Sequence, residues 1–202
     1  MKTIGFLITL LVFGIGCQRS TSAGFDASQV ARITAADAMT PMRVWKISSE
    51  SDSLLLRQAA ETIRFKKTDP VLDRFIDRLF ATVRDSISLG VGIAAPQVGI
   101  LKQIIWVQRF DKEELPFEVY INPTIVTYSV EKREGIEGCL SIPNRQETCL
   151  RSEWIEIAYN KQDGSLHQER IEGFTAVIFQ HEIDHLRGIL YLDHLVEHQS
   201  AP

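Results

Sequence analysis

Cysteine is scarce in this chain: Cys17, Cys139 and Cys149 are the three among 202 residues. So few exclude a small scaffold stapled by disulfides. No run of Lys or Arg stands out, and with a formal net charge of -4 the sequence gives no sign of a nucleic-acid partner. Internal repeats and low-complexity tracts are absent, which excludes a solenoid. The longest apolar run, Ile4 to Gly16, falls short of the roughly 20 residues that a comfortable transmembrane helix needs. What remains is an ordinary globular composition, 45% hydrophobic and 24% charged. The length suits one well-packed domain and is too short for two.

The N-terminus carries its own signal. Lys2 precedes the short apolar run, and Gly16-Cys17 closes it, the pattern of a secretory signal. The junction looks like a bacterial lipoprotein processing site with Cys17 as the lipidated residue, although Gly14 stands where an aliphatic residue is usual. Gln18 to Gly24 is polar and small, as a tether should be. The competing reading starts translation at Met39 or Met42, which would leave a cytoplasmic protein; a simple uncleaved anchor is the third. The expected division is a signal peptide over 1–16, a polar linker over 17–41, a folded domain over 42–195 and a tail over 196–202. Cys139 and Cys149 could pair in an oxidising compartment, which would exclude Cys139 from any other role; a free Cys139 thiolate is the expectation.

Asp69-Pro70 reads as a helix start, with Asp as N-cap and Pro at the first helical position. Val71, Leu72, Phe75, Ile76, Leu79, Phe80 and Val83 follow at helical spacing, and Ser86 to Gly92 breaks the pattern. Strands are expected over Gln103–Val107 and Glu118–Ile121, the second stopped by Asn122-Pro123, and again over Trp154–Tyr159 and Leu166–Ile171 around an Asp163-Gly164 turn. Phe174 to Arg187 is apolar nearly all round in its first half, so this helix lies inside the protein, and Gly188 ends it. The fold class is α+β: strands wrapped around one buried helix, with an earlier helix packed outside.

That buried helix carries His181-Glu182-Ile183-Asp184-His185. Residues four apart on a helix sit about 5–6 Å from each other between Cβ atoms, so two imidazoles can converge on one metal ion. Glu182 can then reach an activated water without being a ligand. Two histidines and two acids would be costly to bury without partners. Leu186-Arg187-Gly188-Ile189-Leu190 is not the metzincin continuation, while Glu137-Gly138-Cys139-Leu140-Ser141 and Gly90-Val91-Gly92-Ile93-Ala94-Ala95-Pro96-Gln97-Val98-Gly99 lie upstream.

Those three segments, in that order, resemble the signature motifs of peptide deformylases, and the likeness spans roughly residues 42 to 194. It takes in Gln180, Leu186 and Tyr120-Ile121-Asn122-Pro123. The resemblance implies that Cys139, His181 and His185 bind one divalent metal ion, usually Fe2+, with Zn2+, Ni2+ or Co2+ able to serve. It further implies Glu182 as general base, the Gln97 amide and the Leu140 backbone N–H as oxyanion donors, and Gly90-Val91-Gly92 as the edge to which a peptide adds as a strand. Glu137, Arg145, Phe174, Val177 and Ile178 would surround the pocket for a methionine-like side chain, with Glu137 and Arg145 pairing across it. The expected partner is an N-formylated peptide or nascent protein; a membrane enters only through a lipid anchor on Cys17. His194 and His198 form a second pair four apart, read as an exposed helix end, and His167 beside a turn is read as solvent-facing.

Two features depart from the family pattern. Asp52-Ser53 stands where the family has Asp-Pro, away from the chemistry. A lipoprotein across a membrane also cannot reach chains leaving the ribosome. Three functions are therefore open: a deformylase of nascent N-formylmethionyl proteins whose start lies downstream, an exported amidase acting on formyl-peptides or another N-acyl amide, and a weakly active metal- or peptide-binding relative.

Overall fold

Apolar residues in consecutive positions of a strand serve opposite faces, and Ile104 to Val107 shows what lies on each. The computed structural model describes residues 24–85 and 89–195. Ile104 joins a core beneath helix α3 (Pro70–Val83) with Phe75, Leu79 and Ile121. Ile105 and Val107 join a second core around helix α4 (Gly173–Leu186) with Tyr120, Phe179 and Ile183. The sheet between them is antiparallel, in the order β1 (Gly92–Ala94), β2 (Ile104–Gln108), β3 (Phe117–Tyr128), β6 (Trp154–Asn160), β7 (Leu166–Glu172). A separate hairpin pairs β4 (Lys132–Cys139) with β5 (Ile142–Ser152). The α+β class holds, with α3 outside and α4 inside.

Helix α3 starts as its sequence requires: the Asp69 carboxylate accepts from the N–H groups of Val71 at 3.1 Å and Leu72 at 3.0 Å. It ends at Val83, and of the segment expected to break it, 86–88 lies outside the described residues. Every residue of α4 from Thr175 to Leu186 is buried, so this helix is held by packing on all sides. The Gln180 side chain ties it to β5, accepting from Ser152 N–H at 3.0 Å and donating to Ser152 C=O at 2.9 Å.

Two expectations need correction. Asn122-Pro123 does not stop β3, which runs to Tyr128. The ladder to β6 shifts register between Ile121 and Thr124, and Asn122 takes φ +51°. Proline is thus accommodated at a bulge. The Asn122 side-chain amide accepts from Ile63 N–H at 2.7 Å and donates to Ile63 C=O at 3.0 Å, which fixes the bulge against the chain before α3.

The second correction concerns the polar linker over 17–41. From residue 24 onward this stretch belongs to the fold: α1 (Ala27–Thr34) opens with a capping box between Asp26 and Gln29. Phe25 and Ile33 are buried, and Phe25 meets the Phe75 ring edge-on with centroids 5.8 Å apart. The polar faces of Asp26, Ser28 and Gln29 masked this, since an eight-residue helix with one buried residue, Ile33, and a single apolar anchor ahead of it, Phe25, reads as tether. A shorter helix, α2 (Glu50–Leu56), follows. The proposed signal over 1–16, Cys17 and the tail from 196, with His198, lie outside the described residues.

The free Cys139 thiol, favoured over pairing with Cys149, is what the fold provides. Cys149 stands opposite Gly135, while Cys139 is four residues further along β4, which is about 13 Å of strand. Both thiols are free, as two Cα atoms so far apart cannot be bridged.

Candidate metal centre and active site

Two elements bring the ligands together. His181 and His185, one turn apart on α4, have ring centroids 5.0 Å apart. Cys139 ends β4, where the hairpin loop Leu140-Ser141 begins. The register shifts between Gly138 and Cys139, with Pro143, Asn144 and Arg145 as extra residues on β5. Bulges of this kind re-aim side chains, and here the thiol faces α4, with Sγ 3.2 Å from His185 Nε2. Donor atoms of Cys139, His181 and His185 all lie within 4.8 Å of one another, the one such cluster among the described residues. One sulfur and two imidazole nitrogens at that spacing fit a single divalent ion with a position left open.

The charges around the cluster favour ligation. Burial raises the Cys139 thiol, but the imidazoles of His185 and His181 outweigh it and hold the pKa well below the ordinary value. His181 Nδ1 donates to Glu137 Oε2 at 2.8 Å, leaving Nε2 bare for a metal. Glu137 is also gripped by Arg151, with Nε and Nη2 at 2.7 and 3.0 Å from its two oxygens. Against its burial, His181 and Arg151 bring the Glu137 carboxyl down to about 2.

Glu182 is the opposite case. Burial pushes its pKa up from 4.5 to about 7, and Oε2 has no hydrogen-bond partner among the described residues. A buried carboxylate oxygen without a donor is costly in a finished core, and it suits a proton acceptor for a molecule entering the cavity. Gln97 sits on a 3₁₀ turn, Ala95–Val98. Its Oε1 accepts from Ala94 N–H at 2.8 Å, which orients Nε2 toward Ser141 Oγ at 3.3 Å and Cys139 Sγ at 3.5 Å.

Glu182, Gln97, Cys139, Leu140 and His181 line one cavity of about 680 Å³. Gly90, Val91 and Gly92 form one wall; Glu137, Arg145, Phe174, Val177 and Ile178 belong to the others. His185 completes the metal cluster from behind. All the residues expected at the site are thus brought together, but one expected pairing is not. Arg145 lies in the bulge, half exposed, and donates to Glu147 at 2.8 Å. Glu137 pairs with Arg151 instead.

Sequence reading missed Arg151, because the alternation of β4 and β5 is hidden by charged residues on both faces. Arg151 also reaches Asp184, the other acid of the buried helix, and Asp184 Oδ2 bonds His194 Nε2 at 2.8 Å. His194 is therefore no free helix end but part of the ion network behind the ligands. Ser141 was missed too. His167 is half-buried, stacked on Tyr159 with centroids 5.8 Å apart.

Two imidazole donors on a buried helix, a thiolate from the end of a facing strand, a neighbouring high-pKa carboxylate and an amide donor define a metal-dependent amide hydrolase. The family described as polypeptide deformylase matches residues 44–201. A peptide deformylase of Zymomonas mobilis is 41% identical over 133 residues, covering 63% of this chain and 73% of the relative. One from Desulforudis audaxviator is 40% identical over 152 residues, covering 75% and 94%. Among solved structures, the Met-Ala-Ser-bound class I type b peptide deformylase of Acinetobacter baumannii superposes with a TM-score of 0.69 at 32% identity, covering 77% of this chain and 99% of that one. The chain belongs to the peptide deformylase family, and its activity is metal-dependent removal of the N-formyl group.

Proposed function

We propose that the substrate is an N-formylmethionyl peptide lying as an added strand along Gly90-Val91-Gly92, with its first side chain among Phe174, Val177 and Ile178. The observation that carries this reading is the buried Glu182 carboxylate, with pKa near 7 and an unpartnered oxygen, beside the Cys139 cluster. The Met-Ala-Ser peptide bound to the Acinetobacter relative supports it.

Glu182 takes a proton from water as the water oxygen bonds the formyl carbon. The carbonyl electron pair moves onto oxygen, where Gln97 Nε2 and the Leu140 N–H donate to it. The C–N bond then breaks, Glu182 returns the proton to the amine, and formate departs. Cys139, His181 and His185 would hold a divalent ion, which would supply Lewis-acid polarisation and lower the pKa of a water. Thiolate with two imidazoles suits iron, zinc, nickel or cobalt, and iron is the choice in a reducing compartment. Formate release from formyl-Met-Ala-Ser by residues 18–202, run anaerobically with Fe2+, Zn2+ or Ni2+ beside Glu182→Ala, tests the assignment. Release that the substitution abolishes is expected; no release with bound metal would favour a binding protein.

We also propose that the native chain begins upstream of Met39. Support comes from Phe25 and Ile33, which a start at Met39 or Met42 would strip from the core. Lipidation at Cys17 would then tether the domain by the six residues 18–23, about 20 Å when extended, with formyl-peptides outside the cytosol as substrates. Mass analysis of the N-terminus from cells tests this: a diacylated Cys17 is expected, and an N-terminus at Met39 or Met42 would overturn it.

A further inference from the structure

The family match begins at residue 44, so α1 lies ahead of it. Even so, α1 reaches the turn that carries Gln97. Arg32 Nη1 donates to Gly99 C=O at 2.8 Å. Carbonyls at the end of a helical turn lack partners within it, and here a guanidinium satisfies one. Gly99 permits the approach: its φ is +76°, and a Cβ there would stand 2.5 Å from Arg32 Nη1.

Other contacts hold the guanidinium and the turn in register. Arg32 lies over the Trp45 ring, 5.3 Å from its centroid, and Trp45 N–H donates to Gln97 C=O at 2.7 Å. The backbone of α1 is fixed in turn by Arg78, whose Nη1 donates to Arg32 C=O at 2.9 Å and Ile33 C=O at 3.0 Å. A chain of contacts thus runs from α3 through α1 to the turn.

We propose that Arg32 is a positioning residue for deformylation: from α1 it fixes the Ala95–Gly99 turn and thereby the aim of the Gln97 amide into the cavity. This rests on the reading of Gln97 as an oxyanion donor. The guanidinium supplies two constraints together, a charge-assisted hydrogen bond to Gly99 and a cation–π contact with Trp45. Neither touches substrate, so the effect belongs in the rate of the chemical step and not in binding.

The test compares wild type, Arg32→Ala and Arg32→Lys by hydrogen exchange and by steady-state kinetics on residues 18–202. Gly99 N–H donates to Pro96 C=O and Ile100 N–H to Ala95 C=O, at 2.9 and 3.1 Å, so both amides report the turn. Arg32→Ala should speed exchange at Gly99 and Ile100 about tenfold, selectively, and lower kcat about tenfold with KM unchanged. Arg32→Lys, which still reaches the carbonyl, should recover most of both. Unchanged exchange at these amides overturns the proposal. So does a uniform rise across the protein with a lower Tm and unaltered kcat, which would make Arg32 merely structural. A wild-type chain that released no formate would instead sink the role given to Gln97, while exchange would still decide whether Arg32 braces the turn.

Discussion

Gly92 lies so close to Glu182 that a Cβ on it would stand 2.5 Å from Glu182 Oε1 and 2.8 Å from Ile178 Cγ2. The glycine does more than let a peptide approach the strand edge: it leaves the volume that the carboxylate occupies. Gly92→Ala should therefore displace Glu182 and lower kcat/KM about a hundredfold, with metal content unchanged. Formate release alongside metal analysis checks this, and an active Ala variant would mean that the carboxylate has room to relocate.

Glu182→Ala removes the proton acceptor and leaves the ligands in place. The expected outcome is a fall in kcat of between about a hundredfold and ten-thousandfold, with metal still bound. Loss of metal in this variant would reassign Glu182 to holding the centre.

Cys139 and Cys149 should behave differently. Burial raises the Cys149 thiol to about 11, so iodoacetamide at neutral pH should leave it unlabelled until the protein is denatured. Cys149→Ser should keep metal and activity, whereas Cys139→Ser should lose metal. Labelling of native Cys149 at the rate of a free thiol would contradict its burial beneath Tyr191.

Acid should weaken the fold through Arg109. Its buried guanidinium meets Asp111 at 2.8 and 2.6 Å, with Glu118 and Glu169 also in contact. The hydrogen bonds from Arg109 hold the Asp111 carboxyl below its usual value, against its burial. A depressed folded-state pKa means that the stabilisation is complete above about pH 4 and is lost as pH falls through the lowered value. At neutral pH, Asp111→Asn should lower Tm by about 2–8 °C. Melting curves from pH 7 to pH 2.5 should show that gap closing toward acid; a constant gap would deny the linkage.

Much of this could be read in advance because it depends on local pattern. Asp69-Pro70 caps by its own chemistry, and the apolar run of α4 makes its two histidines conspicuous. What escaped depends on distant partners. Asn122-Pro123 looks like a stop until Ile63 supplies the bonds that make it a bulge. Glu137 looks able to pair with the nearby Arg145, yet the hairpin bulge turns Arg145 out and the more distant Arg151 takes its place. Phe25 and Ile33 look like stray apolar residues in a tether, and only Phe75 and Arg78 give them a function.

Helix α4 packs against six strands and the 3₁₀ turn, and all its residues from Thr175 onward are buried. Its histidines are therefore oriented by that packing and, for His181, by the hydrogen bond to Glu137, a frame that does not depend on ligation. Removing a metal from this protein should therefore leave the scaffold standing, with Tm little changed. Exchange of one ion for another can then change the rate of reaction without changing the shape of the enzyme that performs it.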